Sequence, residues 1–144
     1  HPGAEIDPAH LIRPGDFLIS RANTIELVGA PVIVKKFRRR LVLSDKVLRL
    51  RIVDGLDRWI ELFLKSHSGR TQIEEYATGA QLSMRNISQA NLRRIMIPLP
   101  PRDTMRAILD RLEPSLEDLK TAEDALVRAN AQLEQLRTRL LFSA

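Results

Sequence analysis

The sequence has no cysteine among its 144 residues, and only one tryptophan and one tyrosine. Without cysteine it can form neither disulfide bonds nor thiolate metal sites. No apolar run approaches the roughly 18 residues that a membrane span requires. No positively charged start leads into an apolar stretch, as it does in a secretory signal. These absences predict a cytoplasmic protein that does not partner a membrane.

Residues that carry chemistry are also sparse. The three histidines, His1, His10 and His67, lie far apart without paired carboxylates around them, so no metal site is predicted. No serine lies in a nucleophile-elbow pattern, and the six glycines form no phosphate-binding loop. Asp118 and Lys120 resemble part of a nuclease site, but they lie among leucines of a helical pattern. The sequence therefore predicts no enzyme and no cofactor.

The charge is positive and unevenly distributed. Residues 1–101 hold 16 Lys and Arg against 10 Asp and Glu, whereas residues 102–144 hold 7 against 8. The whole chain has a net charge of +5, and its positive excess lies entirely in residues 1–101. Such an excess favours a polyanionic partner, because binding releases the counterions of that partner. The length is suited to one domain with an extended element.

Hydrophobic periodicity predicts an α+β fold, in which a small mixed α/β domain precedes a long coiled-coil helix. Strands are predicted at 16–20, 31–37 and 46–53, and helices at 58–67 and 71–77. Asp57 is the expected N-cap of the first helix, and Ser68-Gly69 the expected interruption between the two. The stretch 79–88 is predicted to be an irregular polar loop, and 91–98 a short turn and strand. Three prolines, Pro98, Pro100 and Pro101, end the domain.

A leucine seam follows these prolines. The predicted coiled-coil interface consists of Leu112, Leu116, Leu119, Leu126, Leu133, Leu136 and Leu140. Pro114 predicts a kink or a new start, and hence two helices at about 103–112 and 114–141. The second would be about 40 Å long, so its seam must meet another helix. That helix could come from a second copy or from a longer parent protein, and polar residues within the seam favour an antiparallel pair.

Three groups of residues are predicted to face DNA. They are Ser20, Arg21 and Asn23 at a strand end, Lys35, Lys36, Arg38, Arg39 and Arg40 in a basic turn, and Gln81, Ser83, Arg85 and Asn86 in the polar loop. Arginine suits phosphate and guanine, which its planar fork binds bidentately. Two alternatives stay open: the basic turn can be a solvated strand end, and Asn23 can stabilise its own turn.

Several segments together resemble a known family. They are Gly15-Asp16-Phe17-Leu18-Ile19-Ser20-Arg21-Ala22-Asn23, Leu27-Val28-Gly29, Leu43-Ser44-Asp45-Lys46, Ala77-Thr78-Gly79-Ala80, Asn86-Ile87-Ser88 and Ile97-Pro98-Leu99-Pro100-Pro101. In this order, and followed by a long leucine helix, they closely resemble the specificity subunit of type I restriction-modification enzymes. The resemblance covers the chain from Leu11 onward.

The resemblance implies a domain that reads one half of a split target in double-stranded DNA. It also implies a helix that pairs antiparallel with a second recognition unit, or with a second copy in a homodimer. This helix would dock the methyltransferase subunits and, through them, the restriction subunit, while the specificity subunit itself catalyses nothing. The expected organisation is an unstructured lead at 1–10, a partial target-recognition domain at 11–101 and a coiled-coil helix at 102–144. A truncated assembly module that binds partner subunits without reading DNA is the second hypothesis.

Overall fold

The structure is a computed structural model that describes residues 7–81 and 83–142, with only the backbone for 140–142. It divides into two compact units, the first ending at Pro98 and the second beginning at Leu99. The strands of the described residues are β1 (Phe17–Ser20), β2 (Ala22–Asn23), β3 (Pro31–Ile33), β4 (Val47–Leu50), β5 (Thr78–Gln81) and β6 (Met84–Asn86). The helices are α1 (Asp57–Lys65), α2 (His67–Tyr76), α3 (Gln89–Leu92) and α4 (Arg102–Phe142). This arrangement confirms the predicted α+β class.

The first sheet is antiparallel and has the order β3-β1-β4. Phe17 and Ile19 of the central strand share one face, because successive side chains of a strand point to opposite sides. They form the buried core with Val28, Leu64, Ile73, Ala77 and Ile87. Burying each large side chain contributes about 1.5–3 kcal/mol, so this core packs the first sheet against α1 and α2.

The opposite face of the first sheet is covered by the segment that precedes it. Leu18 is buried, and its partner across β4 is Arg49. The Arg49 guanidinium donates to the carbonyl of Ala9 at 3.0 Å and to that of Leu11, and it pairs with Asp16 at 3.0 Å. Pro8–His10 forms a turn of 3-10 helix within the stretch that we predicted to be unstructured, while residues 1–6 lie outside the described part.

The second sheet has the order β2-β6-β5 and corrects the prediction for 79–88. That stretch is not an irregular loop, because β5 and β6 form an antiparallel hairpin within it. Its polar residues and its glycine hid the apolar alternation by which strands are recognised. Long-range pairing of β6 with β2 completes the sheet.

Several further details of the predicted elements were wrong, and one of them is the strand predicted at 46–53, which ends at Leu50. β3 ends at Ile33 rather than Phe37, because its partner β1 begins only after the Pro14-Gly15 turn. The break between α1 and α2 lies at Ser66, whose hydroxyl accepts from the Gly69 amide, so Ser68-Gly69 lies inside α2. The N-cap of α1 is Leu56 without a side-chain cap bond, and Asp57 is the first helical residue.

The segment after α3 is held by side chains and not by a strand. Gln72 accepts from the Met96 amide at 2.8 Å and donates to the Met96 carbonyl at 3.1 Å. The Trp59 indole donates to the Pro98 carbonyl at 2.8 Å. These bonds satisfy backbone groups that a strand partner would otherwise bind, so the strand predicted within 91–98 is replaced by an extended segment against α1 and α2.

The second unit consists chiefly of α4. The helix is assigned without interruption from Arg102 to Phe142, with Pro114 inside it, so the prediction of two separate helices was wrong. Pro114 has no amide hydrogen and leaves the carbonyl four residues before it without the usual helical partner. Among the described residues, no helix is both long and apolar enough to cross a bilayer.

Candidate nucleic-acid interface

Two of the three sequence groups meet in the second sheet. Ala22 lies opposite Asn86, and Asn23 lies opposite Arg85. The Ile87 amide also donates to the Arg21 carbonyl at 2.9 Å. The strand end at 20–23 and the hairpin at 78–86 therefore form one surface, although about sixty residues of chain separate them.

Lys46 lies at the same place and was missing from the predicted set. The Arg21 amide donates to the Lys46 carbonyl at 2.7 Å, because β4 begins beside the end of β1. Both side chains are exposed, and neither has an ion-pair or hydrogen-bond partner within the described residues. Two unneutralised cations thus flank the second sheet. The sequence signal was the Asp45-Lys46 turn before β4, but only strand pairing shows that it adjoins Arg21.

Asn23 and Ser20 are bonded to each other. The Asn23 amide group donates to the Ser20 hydroxyl at 3.3 Å, and its oxygen accepts from the Thr24 amide at 2.9 Å. Both residues are half-buried. These bonds match the alternative in which Asn23 stabilises its own turn.

The hairpin presents a mixed set of side chains. Gln81, Ser83 and Asn86 are exposed, whereas Leu82 lies outside the described residues. Arg85 differs, because it is half-buried and donates to the carbonyls of Gly79 and Ala77 at 2.7 and 2.6 Å. The Arg85 guanidinium is bonded within the hairpin, whereas the Arg21 guanidinium has no partner in the part of the chain that the structure describes.

The basic turn lies at the other end of β1. Val34, the residue before the turn, bonds with Gly15 and Asp16 at the beginning of that strand. Lys35, Lys36 and Arg38–Arg40 are exposed and have no partner within the described part of the chain. β1 has four residues at about 3.3 Å each, so about 13 Å separates the basic turn from the Arg21 end. The structure therefore does not bring the turn together with the hairpin.

Other arginine and lysine side chains form hydrogen bonds within the fold. Arg70 donates to the carbonyls of Val28 and Ile25 at 2.7 and 2.9 Å, and so holds the 24–29 loop against α2. Glu61, which is only 5% exposed, accepts from Arg58 at 2.6 Å and from Lys65 at 2.7 Å. Burial raises the pKa of Glu61, but the bonds from Lys65 and Arg58 outweigh burial and lower it overall.

The leucine seam of α4 is exposed in the single chain. Leu119, Leu126 and Leu133 have 61%, 62% and 62% of their surface accessible. Leu112 and Leu136 are exposed as well, Leu116 is partly buried, and the side chain of Leu140 lies outside the described residues. Whether the seam pairs with another helix stays a prediction.

Within the described residues, no group of three or more histidine, aspartate or glutamate side chains is placed to hold a metal ion. No family model matches the sequence. Among curated proteins, it is similar to the type I restriction enzyme EcoEI specificity subunit of Escherichia coli, with 32% identity over 108 residues. The match covers 74% of this chain and 18% of that protein.

The chain is homologous to a type I restriction specificity subunit. The resemblance to this family that the sequence predicted is thereby confirmed. The name of the relative agrees with the prediction that the chain is not itself an enzyme. Because the match spans less than a fifth of the relative, it assigns no role to an individual residue.

Proposed function

We propose that the chain recognises DNA as part of a type I restriction specificity subunit and reads one half of a split target. In this proposal the first unit binds double-stranded DNA in the cytoplasm and catalyses nothing. The helix α4 pairs antiparallel with a second recognition unit or a second copy. It also docks the methyltransferase subunits, and through them the restriction subunit.

The observation that carries the proposal is the convergence of the Arg21 strand end, Lys46 and the β5–β6 hairpin. Exposed cations that have no partner among the described residues lie beside polar side chains that can donate and accept hydrogen bonds. Phosphate contacts fix a protein on the duplex, whereas contacts to base edges specify the sequence. Arg21 and Lys46 suit the first task, and Gln81, Ser83 and Asn86 suit the second.

The basic turn at 35–40 has a separate task in this proposal. It lies about 13 Å from the Arg21 end along β1, so it contacts phosphates at a distance from the hairpin. Its five cations have no counter-charge within the described residues. It therefore adds affinity that is insensitive to base sequence, while the hairpin supplies discrimination.

Selection of duplexes from a randomised library by the full chain, with its methyltransferase partner present, tests this function. We expect enrichment of a short motif, and an affinity that falls linearly with salt on logarithmic axes. Binding that is salt-sensitive but enriches no motif would refute sequence reading. No binding to duplex DNA at all would refute the DNA-recognition function.

The exposed leucines of α4 favour a second candidate, an assembly module that binds partner subunits through the helix without reading DNA. Capture of the methyltransferase by the full chain, combined with no motif enrichment, would select this candidate. Loss of capture after Leu126→Ser and Leu133→Ser would assign the contact to the seam.

A further inference from the structure

The β5–β6 hairpin is irregular in register. Thr78 lies opposite Asn86, and Gln81 lies opposite Met84, so β5 has one residue more than β6 between these two pairs. Such a bulge interrupts the ladder of backbone hydrogen bonds and changes the direction of the side chains near it. The direction in which the Gln81 side chain points therefore depends on how the bulge is held.

Arg85 holds the bulge from the central strand of the sheet. Its two terminal nitrogens donate to the carbonyls of Gly79 and Ala77, on either side of Thr78, and its Nε atom is also buried. A planar guanidinium can bridge two carbonyls in this way, whereas a lysine ammonium is a point donor on a flexible stem. The fork of Arg85 thus fixes the geometry of β5 relative to β6.

Gly79 makes the same geometry possible from the other strand. Its φ of 135° is one that other residues rarely adopt, and a Cβ added there would lie 2.4 Å from the Met84 carbonyl oxygen. Close approach of β5 to β6 therefore requires glycine at this position. Two independent features, one charged and one neutral, maintain one hairpin conformation.

We propose that Arg85 is a positioning residue of the DNA-reading hairpin and not a phosphate contact. The inference rests on the proposed function, since it concerns the surface that reads DNA. Arg85 fixes the bulge, the bulge directs Gln81 and Ser83, and these side chains discriminate between bases. Arg21, immediately before the paired strand β2, is the matching arginine, because its guanidinium has no partner within the described residues and is available to phosphate.

The test compares Arg85→Ala, Arg85→Lys and Arg21→Ala in the full chain. Affinity is measured over a salt series for a duplex selected by the wild-type chain and for a scrambled duplex of equal length. For both Arg85 variants we expect the ratio of the two affinities to fall by about tenfold, the size of one good base contact. The salt slope should stay at the wild-type value, whereas Arg21→Ala should reduce it by about 0.9.

The phosphate alternative predicts the opposite pattern. If Arg85 binds phosphate, Arg85→Ala lowers the salt slope by about 0.9, Arg85→Lys restores it, and the affinity ratio stays unchanged. That result would overturn the proposal. An unchanged ratio together with an unchanged slope would also overturn it, because the hairpin would then read DNA without Arg85.

A charge-neutral variant covers the case in which Arg85→Ala fails to fold. Gly79→Ala displaces the hairpin without removing a cation, so it should lower the affinity ratio and leave the salt slope unchanged. Circular dichroism and thermal unfolding establish that each variant compared is folded. A retained ratio in folded Gly79→Ala would contradict the inference. Failure of the wild-type chain to select any duplex would instead refute the proposed function.

Discussion

Replacing Arg38, Arg39 and Arg40 together by alanine tests the separate task of the basic turn. All three side chains are exposed and have no partner within the described residues, so their removal breaks no internal ion pair there. Each phosphate contact contributes about 0.9 to the slope of log affinity against log salt. We expect the slope to fall by up to about 2.7 if all three bind phosphate. The ratio of selected to scrambled affinity should stay unchanged.

The size of this effect is large enough for fluorescence anisotropy. A slope difference of about 2.7 means that wild-type affinity falls about 40-fold more than that of the variant between 50 and 200 mM salt. Arg111, Arg128 and Arg139, which are exposed on α4, provide a matched control. Replacing these by alanine removes the same charge and should leave the slope unchanged. Equal slopes for the wild type and the Arg38–Arg40 variant would refute a phosphate role for the turn.

Three further predictions concern the fold and α4. Glu61→Gln should lower the free energy of unfolding in urea at pH 7 by about 1 kcal/mol, because Arg58 and Lys65 stay partly exposed. Because the pKa of Glu61 is lowered, its ionised form stabilises the fold at pH values above the ordinary glutamate pKa of 4.5. The difference between wild type and variant should therefore disappear as pH falls through the lowered pKa, and a constant difference down to pH 3 would contradict this. Gly69→Ala should lower the free energy of unfolding by about 1–3 kcal/mol, because the added Cβ would lie 2.1 Å from the Phe63 carbonyl oxygen. Thermal unfolding compares this variant with Ser68→Ala, a control at an exposed position, and equal unfolding temperatures for the two variants would contradict the prediction. The double variant Leu126→Ser and Leu133→Ser should abolish association between chains in sedimentation, without changing the unfolding of the first unit. Unchanged association would show that the leucine seam is not the contact between chains.

The elements that could be predicted from sequence are those specified by local pattern. The apolar residues 17–19 form β1 as predicted, and the leucines spaced by seven residues are helical as predicted, although they lie on one helix and not on two. Pro114 was given too much weight: a proline removes one helical hydrogen bond, and α4 continues through it because the helical pattern on both sides is strong.

The candidate site depends on pairing between distant segments, which spacing along the chain does not show. β2 has only two residues and pairs with β6 far along the sequence, so neither strand has a periodic signal. The residues Arg21, Asn23 and Asn86 were predicted individually, but their proximity was not. Lys46 was left out because its closeness to Arg21 follows from the register of β4 against β1.

Arginine content alone therefore overstates the basic surface of the first unit. Arg49, Arg70 and Arg85 all donate to backbone carbonyls, and they hold the lead segment, the 24–29 loop and the hairpin bulge, respectively. In sequence these arginines are indistinguishable from Arg21 or Arg39, since all contribute one positive charge. A guanidinium that is bonded to carbonyls has lost the donors that phosphate would need, although its charge remains. The difference between a fold-stabilising and a DNA-facing arginine is thus a difference in hydrogen-bond partners, and salt slopes can measure it one residue at a time.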